Sequence, residues 1–152
     1  MLVEKEAGAP TFIKVATVRT IRLRWSGGAL HEITSQLSRI EFHPVAPPPW
    51  HPAINAYRCE HCIRVCVELA GVDRSQIELT VRERHLSIRG VRDVPEPTDA
   101  EGPSVQTIAM EIDYGAFQRD IQFPADVEVD IYKVQAEQKN GLLWIHLPLK
   151  RP

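Results

Sequence analysis

Between residues 50 and 148, apolar and polar positions alternate with a period of two in short runs that end at turn residues. Phe117, Ile121 and Phe123 share one face of a run that stops at Pro124. Asn140-Gly141 is a strong signal for a tight turn with positive φ, after which Leu143, Ile145 and Leu147 alternate until Pro148 ends the ladder. Upstream, Ile63, Val65, Val67 and Leu69 alternate with Cys62, Arg64, Cys66 and Glu68 before the turn Ala70-Gly71-Val72-Asp73. Ile77, Leu79 and Val81 alternate with Glu78, Thr80 and Arg82, and Leu86 and Ile88 precede Gly90. No helical period appears in this region, and several short strands with turns between them predict an all-β, two-sheet sandwich. The stretch between Gly90 and Thr107 is acidic and rich in Pro and Gly, and predicts a long loop of the kind that usually has a role.

The N-terminal part is patterned differently. A strand is predicted within Val15 to Trp25; after Gly27-Gly28, Leu30, Ile33, Leu37 and Ile40 recur at helical spacing and predict a short amphipathic helix. His31, Glu32, Ser35, Gln36 and Arg39 fill its other face, so the apolar stripe must pack on this domain, a second subunit or an unfolded guest. Pro44, Pro47, Pro48, Pro49 and Pro52 make a stiff, extended linker. The expected organisation is an N-terminal segment 1–43, a linker 44–52, and a sandwich 53–149 carrying a long loop over 90–107.

Composition narrows the function classes. The 152 residues, 43% hydrophobic and 25% charged, suffice for one domain with a real core plus flanking segments. A formal net charge of -2 gives no electrostatic footprint for nucleic acid. No apolar run reaches the ~18 residues of a membrane span, and the start lacks a secretory pattern, so the cytoplasm is the expected location and no membrane partner is expected. The acid-free run with Lys14, Arg19, Arg22 and Arg24 has one feature of an organelle transit peptide, but Ala7 to Leu30 holds a single Ser. One charge stands out. Arg119 lies on the apolar side of its own strand, and such a cation requires a carboxylate or several carbonyls, within the fold or across a subunit boundary.

Four segments, in order, carry a family resemblance: Glu68-Leu-Ala-Gly71-Val72 with Ile77, Leu79 and Val81; Leu86-Ser-Ile88-Arg-Gly90; Tyr114-Gly115-Ala-Phe117-Gln-Arg119 to Phe123-Pro124; and Ala136 with Asn140-Gly141-Leu-Leu. Together they resemble the α-crystallin domain of small heat-shock proteins over nearly all of residues 50–148. The resemblance implies an immunoglobulin-like β-sandwich, here with a partly helical N-terminal segment, and ATP-independent holding of partly unfolded client proteins. It implies a homodimer made by strand exchange, with the exchanged strand around Val105 to Glu111 and a dimer interface including Ile108, Met110, Glu111 and Arg119. It further implies a groove for apolar-x-apolar peptides between a strand over Ile77–Arg82 and one over Lys133–Gln138. Ile77, Leu79, Val81, Val134 and Ala136 are expected in or beneath that groove, or simply in the core. Leu30, Ile33, Leu37 and Ile40 are expected to offer clients a second apolar face.

Three departures qualify those implications. Ala70 stands where the family usually has Pro, and Ile112 where a basic residue is common. The sequence after the last strand, Lys150-Arg151-Pro152, shows no isoleucine-x-isoleucine anchor, so dimers or small assemblies are expected rather than large cages.

Candidate chemistry is sparse. Cys59, His61, Cys62 and Cys66 are residue types that bind zinc, but Cys62 and Cys66 in one strand are about 13 Å apart at ~3.3 Å per residue, too far for one ion or one disulfide. Only Cys59 with His61 or Cys62, across a bend, could share a ligand, and a redox role for the thiols stays open. His31, His43, His51, His85 and His146 are scattered. Asp126, Glu128 and Asp130 alternate and read as a solvated face. With no phosphate loop, no His-Glu-x-x-His pair and no Gly-x-Ser-x-Gly elbow, no catalytic residue, metal or cofactor is expected. The competing reading is a structural adaptor that docks one folded partner through the same sandwich.

Overall fold

A computed structural model describes residues 20–33, 47–95, 97 and 106–151 of the chain. Its strands are β1 (Ile21–Ser26), β2 (Ala29–Glu32), β3 (Ile54–Arg58), β4 (Cys62–Glu68), β5 (Ile77–Arg82), β6 (His85–Arg92), β7 (Gly115–Gln122), β8 (Gln135–Lys139) and β9 (Leu142–Pro148). They form two antiparallel sheets, β2-β1-β5-β6-β7 and β3-β4-β9-β8. The sandwich expected from the alternation is present, and the alternation explains which face each strand buries.

Ile63, Val65 and Val67 of β4 stand opposite Leu147, Ile145 and Leu143 of β9, and all six are buried. From the other sheet, Leu79 and Val81 of β5 stand opposite Ile88 and Leu86 of β6, and Phe117 of β7 lies opposite Gly90. Each fully buried side chain of this kind stabilises the fold by roughly 1.5–3 kcal/mol. The turn read from Asn140-Gly141 is there: both residues have positive φ, 52° and 76°, and connect β8 to β9.

The N-terminal segment departs from the helical reading. Gly27 and Gly28 both adopt positive φ, 59° and 82°, which suits a two-residue hairpin turn, and the chain reverses there instead of entering a helix. Leu30 therefore lies in β2 opposite Trp25, and the Ile33 amide donates to the Arg22 carbonyl at 2.9 Å. Cross-strand pairing has overridden the helical spacing of Leu30 and Ile33, while Leu37 and Ile40 lie outside the described residues. β1 also pairs with β5, with Ile21 opposite Val81 and Leu23 opposite Leu79. Residues of the 1–43 segment thus supply two strands of the sandwich.

The end of the proline-rich linker is tied down as well. The Trp50 amide donates to the Ala116 carbonyl at 3.1 Å, and the Gln118 amide to the Trp50 carbonyl at 3.0 Å, so the segment runs along the outer edge of β7. Arg92, buried at 7% exposure, lies 4.3 Å from the Trp50 ring centroid, donates to the Asp113 carbonyl at 2.9 Å and meets Glu68 at 3.4 Å.

Gly90 is the tightest point of the core. A Cβ there would stand 2.2 Å from the Gln76 carbonyl oxygen and 2.5 Å from the Phe117 ring, in a backbone conformation that any residue can adopt. Gly90→Ala should therefore destabilise the fold by about 1–3 kcal/mol through overpacking. Gly141→Ala would meet Ala70 at 3.0 Å and also carry positive φ, so it too should destabilise. Urea unfolding of each variant measures this; an unchanged midpoint for Gly90→Ala would contradict the packing.

Candidate functional site

Ile77, Leu79 and Val81 have no exposed surface. They lie on the inward face of β5, and the strand's outer edge is hydrogen-bonded to β1. Ile21 and Leu23 sit directly beside Val81 and Leu79 on that same face, and their spacing is itself apolar-x-apolar. The side of the expected groove nearest β5 is thus filled in cis by the chain's own N-terminal strand. Arg22 and Arg24 point outward between the buried positions, as the alternating burial of β1 requires.

What remains open is a cleft between the β1–β2 hairpin and the segment leading into β8. Its apolar lining comes from Ile21, Leu23, Leu30, Ile131, Val134 and Ala136, with Glu32, Tyr132 and Gln135 beside them. Val134 and Ala136 are half-buried and Tyr132 is 74% exposed. Asp130 forms the start of this wall: its carboxylate accepts from the Tyr132 amide and pairs with Lys133 at 3.0 Å. The Lys133 contact holds the Asp130 carboxyl below its ordinary range. β8 starts at Gln135, after a 3-10 turn over Ile131–Lys133. Of the five residues expected at the groove, Val134 and Ala136 line the open cleft, whereas Ile77, Leu79 and Val81 lie in the core, on the inward face of β5.

The segment around the expected exchanged strand has the opposite character. Residues 106–114 form no strand within the single chain. Ile108 is 97% exposed, Met110 50%, Ile112 60% and Tyr114 46%, and Glu111 is exposed too. Arg119 stands opposite Ile88, on the inward side of β7, as its place in the alternation indicated. Its Nε is buried without a hydrogen bond, and no carboxylate among the described residues pairs with it.

The remaining candidates resolve into structural contacts. Asp126 pairs with Arg58 at 2.7 Å, which lowers its carboxyl pKa. Lys150 bridges Glu128 and Glu83, and both carboxylates push its pKa up. The acidic alternation is therefore tied to cations rather than simply solvated. Cys66 is buried in β4 and its thiol is pushed up by that burial. No group of three or more metal-ligating side chains occurs among the described residues. Arg92, unremarkable in the sequence, proves to be the best-compensated buried cation; the aromatic Trp50 after the prolines was the available signal.

Comparison with known proteins agrees with this architecture. The model of the Hsp20/alpha crystallin family matches residues 56–152. Spore protein SP21 of Stigmatella aurantiaca is 32% identical over 106 residues, spanning 70% of this chain and 59% of that protein. Heat shock protein 16 of Schizosaccharomyces pombe is 28% identical over 102 residues, spanning 67% of this chain and 68% of that one. Among solved structures, hspA from Xanthomonas axonopodis superposes with a TM-score of 0.56 at 29% identity, covering 68% of this chain and 97% of that one.

The β1–β5 pairing has a direct test. Leu23→Asp places a carboxylate against Leu79 in the core, so β1 should detach while β4 and β9 remain paired. Amides of β5 should then exchange with solvent at least about tenfold faster, with those of β4 unchanged, and an apolar dye should gain fluorescence. Equal protection of β5 in both proteins would show that β1 does not cover it.

Proposed function

The chain belongs to the Hsp20/alpha crystallin family, whose small heat-shock members act as chaperones, and on that premise we propose that it is an ATP-independent holdase that binds partly unfolded proteins and suppresses their aggregation. The observation that carries this reading is the run of exposed apolar side chains Ile108, Met110, Ile112 and Tyr114 leading into β7, with a separate cleft lined by Leu30, Val134 and Ala136. An ordinary monomer seldom leaves such surface in water, because it invites association. A holdase needs that surface, since its clients expose apolar segments and unpaired backbone. No catalytic step is part of the proposal. The protein is proposed to work in the cytoplasm; no helix among the described residues is long and apolar enough to cross a membrane.

The same reading makes the working unit a homodimer, or a small assembly of dimers. Residues 106–114 would exchange onto a neighbour's sheet edge, giving Ile108 and Met110 a surface to bury against. Arg119 supports this, because a cation with a buried, unpartnered Nε is stabilised when a second subunit brings a carboxylate to it. Glu111, exposed in the same segment, would be the carboxylate arriving with the exchanged strand.

Two measurements test these statements. At stoichiometric amounts the protein should slow the heat-induced light scattering of several chemically unrelated enzymes; protection of a single protein at fixed stoichiometry would favour an adaptor, and protection of none would end the holdase reading. Arg119→Met should leave subunit stability equal or slightly higher, since it removes an uncompensated polar atom, while weakening the dimer by about 3 kcal/mol, roughly a hundredfold in dissociation constant. Sedimentation over a dilution series reads this directly, and an unchanged dimer would place the Arg119 partner elsewhere.

A further inference from the structure

Cys59 and Cys62 face each other at the tip of the β3–β4 hairpin. The register places Arg58 opposite Ile63, and the Cys59 amide donates to the Cys62 carbonyl at 2.8 Å, so the two cysteines are the next opposed pair, with Glu60 and His61 as the loop. Opposed residues of an antiparallel pair project from the same face, with Cα atoms ~5.5 Å apart when hydrogen-bonded, within the ~4.4–6.8 Å that a disulfide spans. The neighbouring Cys59 thiol, together with burial, pushes the Cys62 thiol pKa up. Cys59 is exposed, and Cys62 is buried at 9%. Cys66 lies further along β4, opposite Asn55 and Trp144, out of reach of both.

We infer that Cys59 and Cys62 form a reversible dithiol–disulfide switch that staples the tip of the β3–β4 hairpin. The roles follow from exposure. Exposed Cys59 attacks a low-molecular-weight disulfide, forming a mixed disulfide and releasing one thiol. Cys62, whose thiol pKa is raised beside Cys59, then loses its proton to solvent and attacks the Cys59 sulfur, expelling the second thiol. Overall, two protein thiols and one small disulfide become one protein disulfide and two small thiols, so the electrons the cysteines lose reduce the reagent. A hydrogen-bonded strand pair holds its Cα atoms near the distance a disulfide needs, so oxidation requires no displacement of the sheet.

The location gives the switch a structural target. β3 is an outer strand of its sheet, so one of its backbone edges is unpaired by the strands among the described residues. The hairpin tip also contacts the C-terminal end of β9: Cys62 stands opposite Pro148, and the Leu149 amide donates to the His61 carbonyl at 2.9 Å. Arg58 beside Cys59 holds Asp126. The disulfide fixes the loop that joins these contacts and thereby stiffens the end of an open strand edge.

The test uses the full chain equilibrated in glutathione buffers stepped from the thiol to the disulfide form, alkylated and digested with trypsin. Cleavage after Arg58 and Arg64 leaves Cys59 and Cys62 in one peptide, residues 59–64, with Cys66 in the next. The expected result is that the 59–64 peptide loses both alkylation sites and two hydrogens in the oxidising buffers, regains them with dithiothreitol, and that Cys66 stays alkylated throughout. In Cys62→Ser, Cys59 should instead accumulate as a stable glutathione adduct; in Cys59→Ser, altered only at an exposed position, Cys62 should remain alkylatable. Disulfides between chains, a lasting adduct on Cys59 of the native protein, or two free thiols in every buffer would each overturn the assignment.

Discussion

The pairing of Ile21 and Leu23 with Val81 and Leu79 governs how this molecule presents itself to others. Without it, β5 would carry an unpaired backbone edge, and Ile77, Leu79 and Val81 would lose the cover that leaves them no exposed surface. An open strand edge over apolar side chains is the arrangement most prone to capture another polypeptide. The chain resolves this with its own residues: the alternation of β1 puts Ile21, Leu23 and Trp25 into the core and Arg22 and Arg24 into solvent. The Gly27-Gly28 turn then moves the sheet edge out to β2, a short strand whose only large apolar residue, Leu30, turns into the cleft.

Two arginines show the same electrostatic constraint met in different ways. Arg92 is nearly inaccessible, yet Nη1 has the Asp113 carbonyl, Nη2 has Glu68, and the guanidinium lies against the Trp50 ring. That set of contacts offsets desolvation and pins the linker to the sandwich. Arg119 is half-buried on the apolar side of β7 and has no such set among the described residues, although the Nε of both arginines is buried without a hydrogen bond. Desolvating a cation without compensation is costly, so a carboxylate brought to Arg119 would stabilise it. The exposed apolar residues at 108–114 make the same argument from the hydrophobic side.

Much of this was legible in the sequence because period-two patterning is a local signal. The faces of β4, β5, β7 and β9 follow from Ile63 to Val67, Ile77 to Val81, Phe117 to Ile121 and Leu143 to Leu147, and Asn140-Gly141 marked its turn correctly. The charge of Arg119 on an apolar face was equally visible. What the pattern could not show was pairing between distant segments. Leu30 and Ile33 satisfy a helical spacing as well as a strand one, and only the two glycines before them, with β5 waiting as a neighbour, select the hairpin. For the same reason Ile77, Leu79 and Val81 could be assigned to a groove or to the core, but the pairing of their strand edge with β1 could not be recognised. The partners of Asp126 and Glu128, Arg58 and Lys150, are likewise remote in sequence and invisible to any window along it.

The hairpin's own attachments indicate how firmly the β5 edge is capped. β1 is held by three buried side chains and by its ladder to β5, whereas β2 adds only a half-buried Leu30 and, among the described strands, pairs with β1 alone. β4, in contrast, is flanked by strands on both sides and contributes Ile63, Val65 and Val67 to the centre of the core. Elements with few buried contacts open at lower free energy than the centre of a sheet, so the β1–β2 hairpin belongs to the least protected part of the fold. Its opening exposes an apolar strand edge at β5, and heating favours that opening through the chain entropy it releases. Opening of the hairpin would thus enlarge the apolar surface of the sandwich, while the β4–β9 ladder would hold the remainder of the subunit together.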